Sequence, residues 1–281
     1  MTDAFREAQA DLARMLTILQ PWMPQLVLVG GFATWMYRYV DAYRPPKSPP
    51  LLTLDVDWAA ELGGLSGLSD ALQHAGFVAK PVGGTHPAVT RIQHVRWEGD
   101  VAPVFAEFLV PMVGPDRGRT VRVLDGPITG QALRYMDLAL DEPVLLDASA
   151  IPVLEVPKGT FVRLPHPAHY VVHKALTARL RPSPQKRWKD LAYIYEVALM
   201  TQPVWMEMQE RVQRLTIHRG TWLARAVRHL EQWFGTADSP GCAAVCDVLN
   251  AADPNRRLTH EQVHRGLAFA LPAMGLSVHG R

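Results

Sequence analysis

The hydrophobic and polar positions of the chain follow two periods, and the change between them predicts two structural parts. Up to about residue 160, short apolar runs alternate with turn residues, which is typical of a mixed β-sheet with flanking helices. From Pro165 onward, apolar residues recur every three or four positions, as they do on one face of a helix. We therefore predict an α+β protein with an α/β domain at residues 1–160 and a helical domain at residues 161–281.

The first part begins with an amphipathic helix and continues with a strand that ends at two glycines. Leu26–Val29 is apolar and rich in β-branched residues, and Gly30 and Gly31 separate it from a further run without a breaker. Four prolines within residues 44–50 fix φ and remove hydrogen-bond donors, so this segment is predicted to be an exposed loop. The predicted elements of this part are helices at 3–19, 32–40 and 66–74, and extended segments at 26–29, 51–58, 77–79, 89–97 and 104–110.

The second part carries most of the positive charge. Residues 1–157 contain 12 Lys and Arg against 18 Asp and Glu, whereas residues 158–234 contain 13 against 5. This separation suits divalent cations on the acidic side and phosphates on the basic side. An Arg-rich surface that serves solubility is the alternative explanation. Helices are predicted at 168–180, 187–200, 204–215, 222–234 and 260–271.

Composition and targeting signals describe an ordinary globular protein. A chain of 281 residues that is 48% apolar and 20% charged can bury a sizeable core. The longest uncharged stretch, residues 15–37, contains two prolines and two glycines, so no transmembrane segment and no membrane partner are predicted. The N-terminus lacks the basic-then-apolar order of a secretory signal, and a cytoplasmic location is expected. Cys242 and Cys246 are expected to be small buried hydrophobes.

The main chemical signal is a pair of aspartates on an extended segment. Asp55 and Asp57 are separated by one residue, and side chains two positions apart on a strand project from the same face. Two carboxylates on one face can share a hard divalent cation. The alternative is that they are the polar positions of a half-exposed strand, since such strands alternate polar and apolar residues.

Two further features strengthen the metal interpretation. The turn at Gly30 and Gly31 lies upstream of the aspartates and offers close backbone approach and a helix start to a phosphate group. Glu107 is flanked by apolar residues in a predicted strand, where a carboxylate is costly to bury unless it is paired or bound to metal.

These residues resemble the signature of the DNA polymerase beta-like nucleotidyltransferases. In that superfamily an apolar residue and Gly-Gly or Gly-Ser precede Asp-x-Asp, and a third carboxylate lies on a later strand. The two glycines, the two aspartates and Glu107 follow this order, with a longer gap before Asp55 than the usual motif has. The chain looks closest to the bacterial AbiEii/MenT-like and related uncharacterised nucleotidyltransferases, which place Ser or Thr two residues before the first Asp, as Thr53 stands here.

The resemblance implies a fold and a set of roles. The fold would be a nucleotidyltransferase-type mixed β-sheet with flanking helices, followed by an α-helical C-terminal domain. Asp55, Asp57 and Glu107 would be catalytic residues that hold Mg²⁺ or Mn²⁺ during transfer of a nucleoside monophosphate from a triphosphate to a hydroxyl. Asp190 would orient Lys174 or Arg179, and a solvated helix face is the alternative for these bases. The implied nucleotide-binding residues are Gly30, Gly31, Thr53, Lys174, Arg179, Lys189 and Asp190.

The acceptor and the biological role stay open at this stage. The acceptor could be RNA, a protein or a small molecule, because acceptor pockets have no short sequence signature. The resemblance also permits the toxin of a toxin–antitoxin pair, with an antitoxin as partner. The rival hypothesis is an inactive nucleotidyltransferase-fold module that binds nucleic acid or a partner protein.

Overall fold

The computed structural model describes residues 3–51, 53–83, 88–97, 104–112 and 121–277, and its fold is α+β, as predicted. The chain divides into two compact units. The sheet unit consists of Met1–Ala33 and Leu52–Pro165, and the helical unit consists of Thr34–Leu51 and His166–Arg281. The helical unit therefore includes a segment that lies, in the sequence, between two parts of the sheet unit.

The elements of the sheet unit follow the predicted order with shifted ends. Its helices are α1 (Asp3–Leu19), α2 (Gly30–Met36), α3 (Leu68–His74) and α4 (Asp137–Leu140), of which α2 crosses the boundary between the units. Its strands are β1 (Leu26–Val29), β2 (Asp55–Ala60), β3 (Phe77–Val82), β4 (Val89–His94), β5 (Phe105–Pro111), β6 (Val121–Asp125), β7 (Ile128–Leu133), β8 (Val144–Asp147) and β9 (Phe161–Leu164). Within the segment predicted to be extended at 51–58, β2 begins at Asp55, and Leu52 lies outside the described residues. The helix predicted at 32–40 starts earlier, at Gly30.

A mixed sheet organises this unit, with strands in the order β1, β2, β5, β4, β3. The pair β2–β5 is parallel, whereas β1–β2, β4–β5 and β3–β4 are antiparallel. The C-terminal half of β5 also pairs in parallel with β7, which pairs with β6, and β8 and β9 form a separate antiparallel pair. The two strands that carry the predicted carboxylates, β2 and β5, are therefore direct neighbours.

One face of this sheet changes from apolar to polar along β2 and β5. Ala59 and Leu109 are buried there, in a cluster with two valines of β1 and with Met136 and Ala139 at α4. Burial of this cluster stabilises the fold by about 25 cal/mol for each Å² of apolar surface removed from water. The same contacts hold α4 over one end of the face. The other end carries polar side chains, and the opposite face buries Val56, Trp58 and Phe108.

The helical unit is built from α5 (Pro167–Thr177), α6 (Pro184–Met200), α7 (Trp205–Phe234), α8 (Pro240–Ala252) and α9 (His260–Ala273). The separate helices predicted at 204–215 and 222–234 are the two halves of α7, which meet at a kink where Arg219 has non-helical backbone angles, φ of −139° and ψ of 30°. Leu215 and Leu223 are buried on either side of the bend, and this burial keeps both halves docked on the same unit. Cys242 and Cys246 are buried and free, so that prediction is confirmed.

The proline-rich segment has no helix or strand but is fastened to the helical unit. Arg38 donates hydrogen bonds to the carbonyl oxygens of Pro46 and Ser48 at 2.7 and 2.5 Å. The Nη1 of Arg256 contacts Ser48 Oγ and Glu196 Oε1, both at 3.2 Å. The long gap before Asp55 is thus a docked part of the helical unit.

Among the described residues, none of the helices combines the length and the apolar character that crossing a membrane requires.

Candidate functional site

The three predicted carboxylates lie on one face of the sheet. Asp57 of β2 is the register partner of Glu107 of β5, and Asp55 pairs with Phe105 two positions earlier. Because side chains alternate along a strand, Asp55, Asp57 and Glu107 project from the same side. All three are partly exposed, and Thr53 just before β2 is buried. The structure therefore brings together residues that are about fifty positions apart in sequence.

The glycine turn stands beside this acidic face. Val29, the last residue of β1, is the register partner of Asp57, and Gly30 follows it with φ of 71°. A β-carbon at Gly30 would collide with Asp57 Oδ2, so the carboxylate occupies the space that any other residue would fill. Gly30 is required here both for its left-handed backbone and for this close approach. Gly31 is buried within α2.

An arginine that the sequence did not single out pairs with the third carboxylate. Arg91 of β4 is the register partner of Glu107, and its Nε lies 2.8 Å from Glu107 Oε1. The same guanidinium stacks 4.1 Å over the ring of Phe105. Period-two alternation on β4 places Arg91 on the acidic face, but only the strand order reveals that β4 borders β5. Glu107 thus already has a counter-charge within the sheet.

The two aspartates of this face are suitable ligands for a hard divalent cation. Carboxylate oxygens are the ligands that Mg²⁺ prefers, and Asp55 and Asp57 are two partly exposed carboxylates on one face of the sheet. Within the described ranges, no group of three or more His, Cys, Asp or Glu side chains is arranged to hold a metal ion. Because Arg91 pairs with Glu107, the metal-binding role of the complete acid set stays a prediction.

In the helical unit, a buried ion-pair network joins α5 to α6. The Nζ of Lys174 lies 2.5 Å from Asp190 Oδ1, and the Nε of Arg181 lies 2.8 Å from Asp190 Oδ2. Lys174 and Asp190 are only 3% and 4% exposed. Burial raises the pKa of the Asp190 carboxyl, but the Lys174 and Arg181 charges and hydrogen bonds outweigh this effect and leave the pKa below its usual value.

The surroundings of Lys174 are aromatic as well as charged. Its ammonium lies 5.5 Å from the ring centres of Tyr170 and Tyr193. The neighbouring His173 is held neutral, because burial and then the Lys174 charge lower its pKa to about 3. Lys174 is therefore a fixed internal charge rather than a solvated surface lysine.

The remaining predicted bases lie in different surroundings. Arg179 is exposed and donates a hydrogen bond from Nη1 to Gln232 Oε1 at 2.9 Å, whereas Arg181 is the arginine that contacts Asp190. Lys189 places its ammonium 5.8 Å from the Tyr193 ring. The predicted partnership of Asp190 with a basic residue holds for Lys174. Of the two alternatives, Lys174 and Arg179, only Lys174 contacts Asp190, and Arg181, which follows the turn after Thr177, contacts the other carboxylate oxygen.

The match to a family model agrees with the resemblance at the level of the family. A family model described as nucleotidyltransferase matches residues 7–215. An antigenic nucleotidyltransferase-like protein from Paracoccidioides brasiliensis is similar in structure, with 16% identity and a TM-score of 0.39, over 80% of this chain and 93% of that chain. No curated protein matches the sequence. The closer likeness to AbiEii/MenT-like proteins, and with it the toxin role, stays a prediction.

Proposed function

Because the chain belongs to this nucleotidyltransferase family, we propose that it transfers a nucleoside monophosphate from a nucleoside triphosphate to a hydroxyl acceptor. The observation that supports the proposal is the placement of Asp55 and Asp57 on one sheet face, with Asp57 packed against Gly30. In the reaction the acceptor oxygen bonds to the α-phosphorus, the bond to the leaving pyrophosphate breaks, and the hydroxyl proton passes to a base.

The proposal assigns each residue of the acidic face a role. Asp55 and Asp57 would hold the divalent ion, Mg²⁺ or Mn²⁺, which when bound would withdraw charge from the phosphates and acidify the acceptor hydroxyl. Gly30 would leave the space that the Asp57 carboxylate occupies, and Gly30 and Gly31 stay the predicted nucleotide-binding residues of this turn. Once its contact with Arg91 is broken, Glu107 would accept the hydroxyl proton or become a further ligand of the ion.

Lys174, Arg179, Lys189 and Asp190 of the helical unit stay predicted nucleotide-binding residues. Lys174 and Lys189 would act as point charges, and Arg179 could bind phosphate oxygens through two nitrogens. Asp190 would position Lys174, a role supported by their 2.5 Å contact, and Arg181 joins this set as a further positioning residue.

A nucleotide-incorporation assay tests the reaction. The full-length protein is incubated with Mg²⁺, each of four α-³²P-labelled triphosphates in turn, and total cellular RNA or protein. We expect label to enter one acceptor class, and to be lost in the double variant Asp55→Asn with Asp57→Asn. Glu61→Gln is the matched control, because it removes an exposed carboxylate just beyond β2 and should leave incorporation unchanged.

Thermal melting separates a metal site from a structural role of the aspartates. A ligand bound only by the folded state adds about 2.7 kcal/mol at a hundredfold excess over Kd, so Mg²⁺ with nucleotide should raise the melting temperature. The double variant should lose this rise, because it lacks the two carboxylates that would hold the ion. A parent that ignores Mg²⁺ and nucleotide, together with a destabilised double variant, would end the catalytic proposal.

The second candidate function is an inactive nucleotidyltransferase fold that binds a partner, and the Arg91–Glu107 ion pair favours it. An arginine that neutralises the third acid could stand where an active enzyme needs a cation. Arg91→Gln distinguishes the two: an active site should bind Mg²⁺ with nucleotide more tightly once Glu107 is released, whereas an inactive fold should show no metal response in either form.

A further inference from the structure

Within α7, a run of positive charge at residues 211–229 lies between Glu207 and Glu210 on one side and Glu231 on the other. Residues 211–229 contain five arginines and two histidines and no lysine, aspartate or glutamate. Like charges three or four positions apart on a helix repel each other and cost a few tenths of a kcal/mol per pair. A helix that only needs solubility normally mixes both signs. In α7 the acidic residues stand at the two ends of this run, and the run itself carries only positive charge.

The fold gathers these charges on one exposed face. Arg214, His218, Thr221, Arg225 and Arg228 are all exposed and follow one another at spacings of three or four residues. The buried residues of the same stretch form the opposite face and are Val212, Leu215, Leu223, Ala226 and Leu230. At 1.5 Å per residue the basic face from Arg214 to Arg228 is about 21 Å long.

A second element extends this basic face at its C-terminal end. Arg179, in the short turn after α5, hydrogen-bonds Gln232 of α7, and His229 Nδ1 lies 2.9 Å from the Ala175 carbonyl oxygen. The pKa of His229 is lowered first by burial and also by the charges of Arg179, Arg225 and Arg228, with the carbonyl contact acting in the opposite direction. The charges of these three arginines therefore add at the His229 side chain and make the electrostatic potential there positive.

The bend of α7 adds an aromatic surface. At Arg219 the backbone leaves helical geometry, and the guanidinium stacks 4.4 Å from the Trp222 ring centre. Arginine planes and aromatic rings are the groups on which unpaired bases stack. Membrane binding does not fit, because the apolar face of α7 is already buried in the helical unit and cannot enter a bilayer.

We propose that this basic face, Arg214, His218, Arg225, Arg228 and the adjoining Arg179, binds the phosphate backbone of single-stranded RNA. The exclusive use of arginine matches phosphate oxygens, which its planar fork contacts through two nitrogens. The choice of RNA over DNA rests on the proposed function, because RNA offers a hydroxyl on every ribose. The phosphate contacts themselves do not depend on that function.

Fluorescence anisotropy with a labelled 20-nucleotide RNA of mixed sequence tests the proposal on the full-length protein. The triple variant Arg214→Gln, Arg225→Gln, Arg228→Gln should bind at least tenfold more weakly. Each phosphate contact contributes about 0.7 to the slope of log K against log salt for single strands, so the slope should fall by roughly 2. The matched control Arg257→Gln with Arg265→Gln removes exposed charge elsewhere on the helical unit and should stay within twofold of the parent.

Further arms make every outcome decisive. The triple arginine-to-lysine variant should retain most of the salt slope, which separates lost charge from a disturbed fold. The proposal is overturned by an unaffected triple variant, by absent RNA binding, by poly-glutamate competing as well as RNA, or by DNA binding more tightly. In one outcome, RNA binding persists in the Asp55→Asn, Asp57→Asn variant although the parent incorporates no nucleotide. This result would support RNA binding by the basic face and would reject the proposed transferase reaction.

Discussion

Replacing Asp190 with asparagine should destabilise the protein far more than a surface substitution, because it leaves the Lys174 ammonium buried without its counter-charge. The two groups are 2.5 Å apart and almost fully buried, and Arg181 binds the second carboxylate oxygen. Breaking a buried ion pair by removing one partner costs about 3–5 kcal/mol. Asparagine keeps the size of the side chain, so the loss reports charge rather than a cavity.

Urea unfolding measures this loss. At an m value of about 3 kcal/mol per M, a loss of 3–5 kcal/mol lowers the midpoint by roughly 1–1.7 M. The pair Lys174→Met with Asp190→Leu is the control. Replacing both charges with apolar groups of similar volume is often neutral or stabilising, so this double variant should unfold at higher urea than Asp190→Asn.

The pH dependence gives an independent check of the same contact. The pKa of Asp190 lies below its ordinary value of 3.8 in the folded state. Its stabilising contribution is therefore complete above that value and is lost as pH falls below it. The midpoint difference between parent and Asp190→Asn should be constant from pH 7 to pH 5 and shrink below 3.8. A variant within 1 kcal/mol of the parent at pH 7 would refute the reasoning.

Three more measurements test other parts of the fold. The pKa of His173 is lowered to about 3 in the folded protein, whereas in the unfolded chain the imidazole is protonated below pH 6.5. The free energy of unfolding should therefore fall by about 1.4 kcal/mol per pH unit between pH 6.5 and pH 4. The variant His173→Leu should lack this part of the pH dependence. Gly30→Ala should cost at least 1–2 kcal/mol in melting experiments through its positive φ and displace Asp57, and an unchanged melting temperature contradicts this. Arg256→Ala should lower the free energy of unfolding by about 3 kcal/mol at pH 7, because it leaves the buried Glu196 carboxylate without its counter-charge. The loss should be smaller at pH 5, because burial raises the pKa of Glu196 and protonation removes the unpaired charge. Equal losses at pH 7 and pH 5 would contradict this explanation.

The local features of the acidic face could be predicted because they depend on neighbouring residues alone. Leu26–Val29 and the two glycines define a strand and a turn, and the period of two places Asp55 and Asp57 on one face. The contact of Glu107 with Arg91 depends on which strands are adjacent, and strand order is a property of the whole sheet. No spacing in the sequence contains that information.

The helical unit shows a similar limit of local reasoning. Helical periodicity identifies α5 and α6, and thus Lys174 near Asp190, but the turn after Thr177 decides whether Arg179 or Arg181 reaches the carboxylate. The bend at Arg219 resembles a helix end in sequence, because Gly220 follows it. The backbone does leave helical geometry at Arg219, and buried residues on both sides of the kink keep the two halves of α7 packed in the same unit.

The docking of Thr34–Leu51 in the helical unit has a consequence for synthesis on the ribosome. The buried Tyr37 packs against Tyr170, with ring centres 5.7 Å apart, and Arg44 N bonds Met200 O at 2.8 Å. These partners emerge more than a hundred residues later, which at 5–20 residues per second is a wait on the order of ten seconds. During that interval the nascent chain exposes an aromatic segment beside a folding sheet. A chaperone that recognises such segments would engage this protein before its C-terminus is made.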